Sequence, residues 1–69
     1  MSNISIMVAS LPNYENLVVE LYVDDEFLGL ICEEIKGQVR LIIEKPVVIS
    51  APTMIEAIAA GLERLQNLG

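Results

Sequence analysis

Histidine is absent from the 69 residues, and cysteine occurs once, at Cys32. The chain therefore lacks the side chain most often used to move protons near neutral pH. One thiol can supply neither an intrachain disulfide nor the four soft ligands of a structural zinc site. Cations are scarce as well: Lys36, Arg40, Lys45 and Arg64 lie scattered among ten acidic residues, for a net charge of −6. Like-charge repulsion then argues against nucleic acid and anionic membrane surfaces as partners. No apolar run approaches the roughly 20 residues of a membrane span. The stretch from Met1 to Ser10 has no basic start and its apolar residues are interrupted by polar ones, so no targeting segment is expected. A lone thiol without a disulfide fits a reducing, cytoplasmic setting.

What the chain has in plenty is apolar matter, 54% of its residues. A domain of this length buries only a modest share of its unfolded surface and is marginal alone. Small domains make up the deficit with disulfides, a metal or association. The first two are excluded by residue type, which leaves a homo-oligomer, a dimer being favoured. The acidic surface allows a second kind of partner, a basic protein.

Punctuation at Pro12-Asn13, Asp24-Asp25, Lys36-Gly37, Lys45-Pro46 and Pro52 cuts residues 1–69, read as one domain, into short segments. Strands are expected over 4–10, 17–23, 27–33 and 38–44, with 46–50 resuming the last strand or adding a fifth. Lys36-Gly37 suits a two-residue hairpin turn. From Thr53 a helix is expected, because Thr53 and Glu56 form a capping box and Ile55, Ile58, Leu62 and Leu65 recur at helical spacing. Gly69 marks its stop. The fold class is therefore α+β: an antiparallel β-meander of four to five strands with one C-terminal helix packed on one face.

Even-length turns at both hairpins sort the strand residues onto two faces. Leu17, Val19, Leu21, Val23, Leu28, Leu30, Cys32, Val39, Leu41 and Ile43 collect on one, with Glu34. This is the expected core face, and it places Cys32 beside Leu17 and Leu41 as an inert thiol. Glu33 would stand opposite Arg40, and Ile31 opposite Ile42. The other face then carries Val18, Tyr22, Phe27, Ile31 and Ile42, which a single helix cannot also cover. The first strand, with Ile4, Ile6 and Val8, sits in a stretch of twelve residues without a charge, unlike a guarded sheet edge. These eight residues are the expected interface, and the first strand is expected to be paired on both sides, by strand two and by either the Pro46–Ser50 segment or the same strand of another copy. No catalytic residue, metal ligand or cofactor site is expected. Asp24-Asp25-Glu26 and Glu33-Glu34 lack the spacing of a calcium loop and read as solvated turn charges.

The segment from Glu20 to Ile31, with Tyr22-Val23-Asp24-Asp25-Glu26-Phe27 at its centre, resembles short uncharacterised bacterial proteins that carry a YVDxEF hairpin and a final helix. The segment Thr53-Met54-Ile55-Glu56-Ala57 is similar to the T-x-x-E-A helix of HicB-type antitoxins, which the chain departs from by lacking a helix between strands one and two. The first resemblance implies no activity. The second implies an antitoxin, and with the acidic surface the alternative function is an inhibitor, antitoxin or immunity-type protein that masks a basic enzyme. The favoured reading is a small non-enzymatic, self-associating interaction module.

Overall fold

A computed structural model describes residues 3–43 and 46–68. Strands β1 (Ile4–Ala9), β2 (Val18–Val23), β3 (Glu26–Ile35) and β4 (Gln38–Ile42) are followed by helix α1 (Ala51–Gln66). The strands form one antiparallel sheet in the order β1-β2-β3-β4, which is the expected meander. Pro46–Ser50 contains no strand. The expected Gly69 stop and the end of the fourth strand at Glu44 lie outside the described residues.

The β2–β3 turn follows from its residues. Asp24 and Asp25 both take positive φ, 52° and 68°, a conformation that Asp tolerates better than most side chains. Two consecutive positive-φ residues give the primed turn whose twist matches that of the flanking strands. The Asp24 carboxylate also accepts from the Asn3 backbone N–H (2.8 Å). Asp24 N–H donates in turn to the Asn3 carbonyl (2.7 Å). The turn thereby fixes the start of β1.

The expected faces hold for β2 and β4 but not for the middle of β3. Tyr22 pairs with Phe27 as an even turn requires, yet Leu21 pairs with Gly29. Leu28 is the extra residue, and a bulge of this kind exchanges the faces of everything after it. A second irregularity lies between Cys32 and Ile35, so Arg40 faces Cys32 and not Glu33, and Ile31 faces Leu41 and not Ile42. Glycine at position 29 lets the β4 backbone approach β3 closely. A Cβ at residue 29 would stand 2.5 Å from the Ile42 carbonyl oxygen. The outcome is that Ile31 joins the helix-covered core, while Leu30 and Cys32 turn to the opposite face.

The helix cap also sits earlier than expected. Ser50, not Thr53, is the N-cap, and its hydroxyl accepts from the Thr53 N–H at 3.2 Å. Its carbonyl accepts from Met54 N–H at 3.0 Å. Pro52 falls in the first turn, where a missing N–H costs nothing because that group has no intrahelical acceptor. The helix therefore extends further toward the N-terminus than the capping-box reading allows.

Candidate functional site

The helix buries Ala57 and Gly61 against the sheet. A Cβ on Gly61 would come within 2.7 Å of Leu21 Cδ2 and 2.8 Å of Ile31 Cδ1. The core beneath it joins Val19, Leu21, Leu28 and Ile31 to partly buried Met54, Leu62 and Leu65. Contacts run from the helix to β1, β2 and β3. Ile6 shares a hollow with Ala60, Glu63 and Arg64, so that flank of the helix overhangs β1. At 100° per residue the opposite flank carries Ile55, Ile58 and Leu62 and looks toward β3 and β4.

The helix does not extend over β4. The register partners Ile31 and Leu41 project to the same face, which puts Val39, Leu41 and Ile43 on the helix side. They remain exposed there, at 45%, 40% and 40%. Ile55, on the helix flank, is 67% exposed. Apolar surface thus stays exposed on the helix side, at Ile55 of α1 and at Val39, Leu41 and Ile43 of β4. Among the described residues β4 pairs with β3 alone, so this row also lies on an open strand edge.

The second face is closed by a different element. Val18, Leu30 and Cys32 are almost fully buried, packed beneath Leu11 and Tyr14 of the β1–β2 loop and beside Phe27 and Ile42. The loop turns at Pro12-Asn13, where Tyr14 N–H donates to the Leu11 carbonyl (3.1 Å). It is anchored by the pair of glutamates expected to be free in solvent. The Glu34 carboxylate accepts from the backbone N–H groups of Glu15 (2.6 Å) and Asn16 (2.9 Å). The Glu33 carbonyl accepts from the Asn16 amide (3.0 Å), and its carboxylate accepts from Gly37 N–H (2.8 Å). An ionised carboxylate is a strong acceptor for otherwise orphaned turn donors.

Two of the eight residues expected at the interface are buried within the single chain. Val18 is 0% exposed under the loop, and Ile31 is 1% exposed under the helix. Ile4 and Ile6 pack against the core, and Val8 is half-buried with them on the helix side of β1. Tyr22, Phe27 and Ile42 stay half-buried on the loop side. The rings of Tyr22 and Phe27 meet edge to face with centroids 5.6 Å apart, and Tyr22 OH donates to Glu20 (3.3 Å). Among the described residues of the chain β1 pairs with β2 and is not flanked by Pro46–Ser50. The exposed row of Val39, Leu41 and Ile43 lies where the sequence pattern places core residues.

Burial pushes the Cys32 thiol above its ordinary pKa; Arg40 opposes that shift and Glu34 adds to it. A thiol held protonated is a poor nucleophile. Desolvation, with the Glu20 carboxylate beside it, raises the Tyr22 phenol in the same direction. Among the described residues no group of three or more thiols and carboxylates is placed to hold a metal ion. No helix there is long and apolar enough to cross a membrane. Comparison of the chain with protein-family models, curated proteins and solved structures finds no match in any of the three.

Proposed function

We propose that this chain is a small non-enzymatic interaction module that works by self-association. The observation that carries this reading is the row of Val39, Leu41 and Ile43, left exposed on an unpaired strand edge beside an apolar helix flank. Natural edges are blunted by charge, proline or cover, and the helix side of β4 has none of these. The buried reduced thiol of Cys32 suits a reducing compartment such as the cytoplasm. Sedimentation of the purified chain tests the reading. A mass of two or more copies at micromolar concentration supports it, and one copy throughout overturns it.

A second reading has its own observation. At the far end of the sheet a shallow groove of about 380 Å³ is lined by Asp24, Glu26 and Ser50 together with Val23, Val47, Val48 and Ile49. Its carboxylates fit an inhibitor that masks a basic protein. Such binding weakens steeply with salt. Capture of a basic partner that persists unchanged at high salt would remove this reading.

A further inference from the structure

We infer that two copies of the chain join through β4, antiparallel about a two-fold axis at Leu41, into one eight-stranded sheet. This rests on the proposal of self-association and specifies the surface, symmetry and register.

Charge then selects the surface. A chain of net charge −6 can meet its own copy only where carboxylates are absent. The β2–β3 turn carries Asp24, Asp25 and Glu26, and the outward side of α1 carries Glu56 and Glu63. Edge pairing through β4 leaves these carboxylates in water. It also keeps both helices on the same side of the joined sheet.

The backbone agrees with this register. The Ile42 carbonyl is directed at Gly29 of β3. Since backbone polar groups alternate along a strand, Val39, Leu41 and Ile43 present their N–H and C=O groups to the open edge. A two-fold axis at Leu41 sets Leu41 against the partner's Leu41, and Val39 against the partner's Ile43. All three positions are then apolar-to-apolar on the helix side, and the contact is isologous, the commonest way for a dimer to close. The edges that remain are the two β1 strands, each overhung by its own helix.

Cys32 is the only cysteine, so its replacement gives a clean background for crosslinking. In Cys32→Ala protein, Leu41→Cys places two thiols across the axis at a Cα separation of about 4.5–5.5 Å, within the range a disulfide spans. Met7→Cys, on the β1 edge, serves as the control. Copper-catalysed oxidation should convert most of the Leu41→Cys protein to a covalent dimer and leave Met7→Cys uncrosslinked. A dimeric mass with no crosslink at residue 41, or with one at residue 7, overturns the β4 register while self-association stands. A monomeric mass for the parent protein overturns both.

Discussion

Replacing Glu34 with alanine should open the β1–β2 loop without unfolding the sheet. The loop closes the second face through Leu11 and Tyr14, and its backbone is held by two N–H groups bonded to one carboxylate. Hydrogen bonds to a charged group contribute roughly 1.5–3 kcal/mol each when removed from solvent. These are exposed, and water replaces them in part, so the two together contribute about 1–2 kcal/mol. That shifts the closed-to-open ratio of the loop about 5- to 30-fold. Cys32 reports the shift directly, because it is the only thiol and is 2% exposed beneath the loop. The rate of its reaction with a disulfide reagent, in native buffer at constant pH, should rise by that factor in Glu34→Ala. Glu56→Ala, on the outward side of the helix, should leave it unchanged. A thiol rate equal to that of the parent protein would refute the loop as the cover and Glu34 as its anchor.

Two glycine substitutions should separate by mechanism. Gly29→Ala drives a Cβ into the Ile42 backbone and should cost about 3 kcal/mol, the upper end of overpacking. Gly61→Ala meets only the ends of the Leu21 and Ile31 side chains. It also gains about 1 kcal/mol of helix propensity, so its net loss should be about 0–2 kcal/mol; urea denaturation measures both. Ile31→Lys should unfold the protein, since the side chain is 1% exposed under the helix; a folded circular dichroism spectrum would contradict that placement. Alkaline pH should destabilise the fold through Cys32. Its folded pKa is raised by burial, so above the ordinary thiol value of about 8.5 the unfolded chain gives up its proton first. Stability is then lost as pH rises toward the folded value. In Cys32→Ala this part of the decline should vanish, as melting temperature against pH will show.

The meander and the helix are legible because each rests on a periodic pattern between clear turn residues. The sequence places the Asp24-Asp25 and Lys36-Gly37 hairpins correctly, and β2 and β4 keep their expected faces. The centre of β3 does not, because alternation in sequence carries no mark of a bulge. Leu28, Leu30, Ile31 and Cys32 are all apolar, so either face of β3 reads as core. Gly29 is the one available signal, since glycine inside a strand often marks a bulge or a close backbone crossing. The loop cover is similarly faint. Leu11 and Tyr14 are the hint, two apolar residues flanking a Pro12-Asn13 turn. The same faint signals explain why Val18 and Ile31 read as uncovered: the sequence marks neither the exchange of faces in β3 nor the loop cover. The uncovered row lies on β4, because the helix spans only three of the four strands.

The central claim is that Val39, Leu41 and Ile43 await a second copy, and sedimentation of the parent chain beside Leu41→Lys tests it most directly. Leu41 is 40% exposed in the single chain, so lysine there should leave folding intact by circular dichroism. The account predicts twice 7.6 kDa for the parent at micromolar concentration and a single copy for the variant. A parent chain that sediments as one copy, or a variant that stays dimeric, would contradict it.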